Sequence, residues 1–479
     1  MFDITRATFV RKFSTTLYKN LKLGLMEMSF AKDFVSGPDG DLYPILSRTE
    51  CCSEKVEYNR YTVSCGEVKR LIGQFFPYAT YEVVANVGDG GEAGFSFSIP
   101  GAEATIITDG KSVRYLSGAV KRDLLITAEL IGSELMAVSC RPGAFDIYFE
   151  KNGKVEFFAT VNDELFNASN DYPRFSEGNS ALVVRGSAEI KRVCAYLDSG
   201  VSIADIRPVK YENGDVLIEG GRVYLTATIR MQAGGYQGVF SWVPGTTDFE
   251  LVGAIFYDAG DGLWCGDVAA SLRYHRERKL WYLWVCSFSH GHILASAEFS
   301  GDVRFGVNVL DVKLIEAAID SSNITDFVGF HGDEDPDFVY DEDSGRWLMA
   351  VCRRDDVTKK YRYFFFESNE PFGNYRYIGR GYEGAETGGS FIKVGKERYF
   401  VCGNDFNKTS DYRIYSKDGM VNAAFDFPDG GFRGWGTIIP VRLGNRTRYF
   451  WLTFDRHLAS DYKWSYGNLY CFEAKQHKM

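Results

Sequence analysis

Long apolar runs are missing from this chain. No stretch of its 479 residues approaches the roughly 18 consecutive apolar residues that a bilayer-spanning helix needs, so no transmembrane helix is expected. An excess of basic charge is missing as well. Lys and Arg number 54 against 64 Asp and Glu, for a net charge of -10 and a pI near 5.3. Phosphate backbones and anionic lipid surfaces are held by clustered Lys and Arg, so neither a nucleic acid nor a membrane is expected as a partner. An uncharged substrate such as a sugar is compatible with this balance. Only 12 prolines are present, and the composition excludes a collagen, a coiled coil and a disordered chain. There is no CxxC pair, and Cys51-Cys52 cannot make a metal site alone. Glycine-rich phosphate loops, a nucleophile elbow and an HExxH helix are absent in usable context.

What is abundant is aromatic. Trp, Tyr and Phe make up 15% of the chain, and 50 glycines punctuate it. Aromatic and β-branched runs separated by Gly favour an all-β protein. At 45% apolar content a substantial core can form, and the length suggests two or three domains. Cys286, Cys352 and Cys402 lie inside aromatic strands and read as buried small hydrophobes rather than disulfides. The N-terminal MFDITRATFVRKFSTTLYKN carries basic residues but no apolar core of a signal peptide. A cytoplasmic location is the default expectation, and a secreted one if a signal has been removed.

Three regions follow from the pattern. Residues 1–58 read as an irregular N-terminal arm with a short helix near Phe9–Leu23. Residues 59–199 read as many short strands, such as Thr80–Ala85 and Ala93–Ile99, with turns at Asp89-Gly90-Gly91, Asp109-Gly110 and Asn152-Gly153. Strands at this spacing without helices predict a β-sandwich. From residue 200 to 479 one design recurs, an aromatic strand preceded by a basic or turn element. The copies are RVYLTATI (222–229), LWYLWVCSF (280–288), RWLMAVCR (346–353), RYFVCGND (398–405) and RYFWLTFD (448–455). From Tyr224 through Tyr282, Trp347 and Tyr399 to Tyr449 the steps are 58, 65, 52 and 50 residues. A four-stranded unit repeating at about 40–50 residues is a propeller blade, and five of them predict a five-bladed β-propeller.

Each blade should open with an innermost strand along the central axis, whose first residue lies at the rim of the axial cavity. Asp267, Asp335, Glu386 and Trp435 begin such strands, 15, 12, 13 and 14 residues before their aromatic positions. In the first blade Asp205 stands 19 residues before Tyr224 and Asp215 only 9 before it. Carboxylates at equivalent blade positions converge on one pocket. Like charges brought close raise one another's pKa, so one can remain protonated while another is ionised. Glycoside hydrolysis uses such a pair.

Three stretches carry a resemblance to the arabinanase and β-xylosidase enzymes of glycoside hydrolase family 43. DPDFVYDEDSGRWLMAV, with Asp335 and Asp341 six residues apart before a Gly turn, resembles that family's third-blade motif. WCGDV (Trp264–Val268) resembles the second-blade motif, and ETGGSFIKVGKERYFV (Glu386–Val401) the fourth-blade motif that begins with the acid. The sandwich region similarly resembles the concanavalin-type jelly-roll modules attached to carbohydrate enzymes. The resemblance implies Glu386 as general acid, Asp335 as the group that orients it and tunes its pKa, and Asp267 as a pocket residue. The base or nucleophile should come from the first blade, where Asp205 opens an extended run. Asp215 follows the tight-turn pair Asn213-Gly214 and is the alternative. The family's Glu is usually followed by Gly-Pro; here Thr387-Gly388-Gly389 follows, and Glu383 is the fallback acid.

Other residues have two readings each. Trp264 and Trp435 could stack a sugar or pack the core. Arg207, Arg353 and Arg354 could bind substrate or form ion pairs. His331 would lie near the pocket if Asp335 does. His290 and His292 could face one ligand or face solvent. The acidic run Asp333–Asp337 could hold a structural Ca²⁺, but no other metal or cofactor is expected. The expected activity is therefore a glycosidase acting on an oligo- or polysaccharide. A non-catalytic carbohydrate-binding propeller is the alternative, and a polysaccharide lyase a more remote one.

Overall fold

A computed structural model describes residues 2–15, 21–28, 44–57, 60–118, 120–128, 130–200, 202–231, 235–266, 269–315, 319–320, 324, 330–355, 357–382, 386–403, 412–426, 435–454 and 468–476. The chain forms two compact units. One comprises Met1–Leu21, Ser199–Asp261 and Cys265–Met479; the other comprises Lys22–Asp198 with Gly262–Trp264.

The first unit is a five-bladed β-propeller. Among the described residues it contains five sheets, and in each the repeated aromatic segment follows the innermost long strand; in the second, the two-residue strand Lys210–Tyr211 is added parallel at the inner edge. The repeated segments are Arg222–Arg230, Leu280–Ser287, Arg346–Asp355, Glu397–Gly403 and Arg446–Phe454. Their side chains are buried almost without alternation. A strand covered on both faces by neighbouring sheets needs apolar residues on both, which is why the segments read as continuous runs.

Contacts pass from each blade to the next around a closed ring. The Tyr257 hydroxyl meets Ser287 Oγ at 2.9 Å between blades one and two. Tyr282 lies 5.8 Å from Trp347 between two and three. Tyr363 and Phe400 are 4.7 Å apart between three and four, and Tyr412 and Trp451 are 5.1 Å apart between four and five. Trp242 meets Phe450 at 5.6 Å and returns the ring to blade one.

The chain's beginning completes this ring, which corrects the expectation of an irregular arm with a helix. Ala7–Thr15 is a strand, antiparallel to Leu469–Gln476 and parallel to Ala424–Phe425 in the fifth blade. Phe9 is fully buried between Phe425 and Trp451, at 5.0 and 4.9 Å. Burying such a ring contributes about 1.5–3 kcal/mol. Phe9 and Phe13 stand four apart, a helical spacing, but Ala7 and Phe9 are buried while Arg11 and Lys12 are exposed, as the sheet edge requires.

The second unit has two antiparallel sheets that share one core. One runs from Val120–Leu125 to Ile45–Arg48, the other from Lys154–Asn162 to Ser53–Glu57, with Lys22–Met28 added beside Ala188–Asp198. Residues 22–28 and 45–57 therefore belong to this unit, not to an arm. Tyr81 packs on Phe97 at 4.9 Å, and Phe97 stacks on Phe145 at 5.5 Å across the two sheets. Asn152 and Gly153, both at positive φ, form a two-residue turn between Lys151 and Lys154.

Candidate active site

The innermost strands of blades one, three and four share an irregularity that their sequences do not announce. Pairing with the second strand breaks between Ala204 and Arg207, between Glu334 and Asp337, and between Thr387 and Ser390. Each break sets two residues against one, a β-bulge that re-aims the chain. The first bulged residue is left-handed in every case: Asp205 at φ 53°, Asp335 at 48° and Gly388 at 61°. Asp tolerates this region better than most residues, at a cost of order 1 kcal/mol or more, and such strain concentrates at functional sites. At Gly388 only glycine fits, because a Cβ would lie 1.7 Å from Trp435 Cδ1.

The bulges bring the candidate carboxylates onto shared partners. Asp205 Oδ1 accepts a hydrogen bond from the Trp435 indole N–H at 2.6 Å. Trp435 in turn packs on Gly388 of the fourth-blade bulge. Asp335 Oδ2 accepts from Thr387 Oγ1 at 2.7 Å and from the Gly388 N–H at 3.0 Å. Asp205 and Asp335 are both buried. Burial first, and the negative charge of Asp205 second, push the Asp335 carboxyl up to about 7. Arg207 and the Thr387 hydroxyl oppose this, and Glu334 adds to it. The two aspartates thus form a like-charged pair that resists double ionisation.

Glu386 immediately precedes the fourth-blade bulge and is fully buried. Its Oε1 accepts from Arg413 Nη1 at 3.0 Å and from the Tyr415 hydroxyl, and Oε2 accepts from the Tyr363 N–H at 3.3 Å. Burial raises its pKa, and Tyr415 and Arg413 restrain the rise. Beside Oε2 lies Gly381, where a Cβ would approach that oxygen to 2.2 Å. Arg413 and Tyr415 did not emerge from the sequence. Their i, i+2 spacing on the strand Tyr412–Ser416 puts both on one face, a signal the pattern does contain.

A third aspartate, Asp337, was picked out from the sequence only as part of the acidic run Asp333–Asp337. It anchors the axis through cations. Its Oδ1 accepts from Arg273 Nη2 and the Ser271 hydroxyl, and its Oδ2 accepts from the Phe391 N–H at 2.6 Å. Lys210 Nζ stands 3.7 Å from Oδ2 and donates to Ser390 Oγ at 2.9 Å. These cations hold the Asp337 carboxyl well below the usual carboxylate range, against the burial that raises it. Burial draws the Lys210 ammonium down to about 7.

Several expected contacts are redistributed. Arg207 is buried and donates to backbone carbonyls, those of Pro336 at 2.7 Å, Asp335 at 3.2 Å and Ala269 at 3.3 Å. Through these bonds it braces the third-blade bulge. Trp435 is buried and holds Asp205, so it is no exposed stacking platform. Trp264 belongs to the second unit, where it stacks on Tyr172 at 5.5 Å and meets Phe175 at 4.7 Å. Its aromatic surface serves packing there.

Asp215 lies in the Asn213-Gly214 turn, capped by Asn213 Oδ1 and 3.5 Å from Lys393 Nζ. Asp267 and Glu383 lie outside the described residues, as does the side chain of His331, whose backbone joins the strand Phe330–Asp341. His290 bonds Ser287 and Asp261, whereas His292 bonds Glu334 at 2.8 Å, so the two do not converge. The acidic run is divided likewise: Asp333 pairs with Arg353, Glu334 with His292, Asp335 with Thr387 and Asp337 with Arg273.

No family model matches the chain, and no curated protein does. Solved structures do. A family-43 β-1,3-galactosidase with galactodeoxynojirimycin aligns at TM-score 0.39 and 11% identity, over 56% of this chain and 91% of that one. A thermostable family-43 glycoside hydrolase aligns at 0.38 and 14%, over 58% and 90%. An exo-β-1,3-galactanase from Clostridium thermocellum aligns at 0.38 and 13%, over 56% and 62%. Likeness at this level assigns no activity, and the reading of the site rests on its own geometry.

Proposed function

We propose that the propeller is a glycoside hydrolase that cleaves a glycosidic bond in an oligo- or polysaccharide with paired carboxylates. The observation that carries this reading is the matched pair Asp205 and Asp335. Both are buried, both sit in left-handed bulges of innermost strands, and Asp335 is held by Thr387, the residue that follows Glu386, whose pKa burial raises. Strained backbone and buried like charge both cost stability, and such costs accumulate where chemistry needs them. In this reading Glu386 protonates the leaving oxygen. Asp205, held by Trp435, activates water or attacks the sugar. Asp335 keeps the shared proton and holds the fourth-blade bulge in place. The two-sheet unit fits the role of an attached concanavalin-like module.

One observation favours the second reading, a non-catalytic sugar-binding propeller. Both Glu386 oxygens already have protein donors, so the acid must exchange at least one of them to reach a substrate.

A panel of aryl glycosides and oligosaccharides decides between them. The native chain should release sugar from at least one substrate. Glu386→Gln and Asp205→Asn should each lower kcat by about 100-fold or more. Saccharide binding without any turnover would replace the hydrolase with the binding propeller.

A further inference from the structure

We propose that Tyr382 is the stacking platform for the leaving-group sugar of an oligosaccharide, an inference that rests on the hydrolase reading of the same site. Tyr382 is 58% exposed, the most exposed aromatic side chain among the described residues, in a unit whose aromatic rings are otherwise largely buried. An exposed ring is ordinary on a mobile loop. This one is fixed at its root. The Tyr382 N–H donates to the Tyr415 hydroxyl at 2.7 Å, and that hydroxyl donates to Glu386 Oε1. The Arg413 guanidinium lies 5.8 Å from the ring centroid while its Nη1 holds the same Oε1. The preceding residue, Gly381, lies against Glu386 Oε2 and donates its N–H to the Tyr363 carbonyl at 2.7 Å.

Two partners therefore tie one ring to one carboxyl. Tyr415 holds the Tyr382 backbone N–H and Arg413 lies beside its ring, and both hold Glu386 Oε1, so the ring is rooted on the partners of the acid. A cation beside the ring also polarises it. A saccharide offers the complementary surface, because the C–H face of a pyranose is apolar while its rim is hydroxylated. Rigid aromatic side chains gain contact area at low entropic cost. The side of the substrate is set by the chemistry. The acid gives its proton to the leaving oxygen, so a ring fixed beside the acid meets the sugar that departs, not the one that is attacked.

The test compares the native chain with Tyr382→Phe and Tyr382→Ala. Binding is read by fluorescence titration with β-1,3-galactotriose, xylotriose and arabinotriose. Turnover is read on the best trisaccharide and on the glycosyl fluoride of the same terminal sugar, whose leaving group offers nothing to stack. Tyr382→Ala should weaken trisaccharide binding and lower kcat/KM by about tenfold, a change of about 1.4 kcal/mol. Its fluoride turnover should be unchanged, and Tyr382→Phe should behave as the native chain. A merely structural tyrosine would lower both activities together. Unchanged trisaccharide affinity in Tyr382→Ala, equal losses on both substrates, or no trisaccharide binding by the native chain would overturn the platform. Tight binding that needs Tyr382 but leads to no cleavage would keep the platform and overturn the hydrolase.

Discussion

Replacing Asp335 by Asn should make the propeller more stable at alkaline pH while it disables the site. Burial first, and the charge of Asp205 second, push the Asp335 carboxyl from its ordinary value of 3.8 up to about 7 in the fold. Between those pH values the folded chain keeps a proton that the unfolded chain has released. Stability therefore falls as pH rises through that window, and the full cost is in place above about pH 7. The gap corresponds to roughly 4 kcal/mol. An Asn at 335 cannot ionise, and its oxygen can still accept from Thr387 and Gly388. The variant should gain about 2–4 kcal/mol at pH 8 and nothing at pH 4. That corresponds to a rise in Tm of about 4 °C or more in a unit of this size. Fluorescence melts from pH 4 to 8 read it directly, since Trp264 alone of the eight tryptophans belongs to the second unit. A Tm at pH 8 equal to or below that of the native chain would refute the reasoning. So would an advantage that persists undiminished at pH 4.

Two further perturbations separate the acid from its scaffold. Gly381→Ala would place a methyl group 2.2 Å from Glu386 Oε2 and push the carboxyl off its partners; kcat should fall about 100-fold with an unchanged circular dichroism spectrum, and full activity would free Glu386 from the acid role. Asp337→Asn leaves Arg273, Lys210 and Arg207 buried around a neutral group; urea unfolding should show a loss of about 3–5 kcal/mol, and a loss below about 1 kcal/mol would mean the cations find other partners.

The propeller was legible because its signal is local and repeated. Each second strand must be apolar on both faces, so Tyr282, Trp347 and Tyr449 stand in runs that the sequence displays openly. The closing strand Ala7–Thr15 was not legible, because its partners lie more than 400 residues away and nothing within residues 7–15 names them. The segment Gly262–Trp264 misled for a related reason. WCGDV reads as one motif, yet Trp264 packs in the second unit while Cys265 pairs with Tyr257 in the propeller. A short motif carries residue types, not the unit in which each one is buried.

The candidate site shows the same division between type and partner. Asp205, Asp335 and Glu386 could be picked out as carboxylates at strand starts, because pocket chemistry and spacing both favour them. Their backbone roles could not. By bulge position the fourth-blade counterpart of Asp205 and Asp335 is Gly388, not Glu386, which stands two residues earlier, level with Asp333. In blade three that earlier position is neutralised by Arg353, and in blade four it is held by Arg413 and Tyr415. The same bulge thus presents two kinds of position, a left-handed one that turns a carboxylate toward its like-charged twin and an earlier one that meets a cation. A propeller with this backbone can set carboxylates in two different surroundings with one repeated bend, provided the left-handed position is Gly wherever Trp435 must pack. That requirement accounts for the departure at Thr387-Gly388-Gly389. The bend leaves no room there for a side chain, so the carboxylate of the fourth blade stands ahead of it.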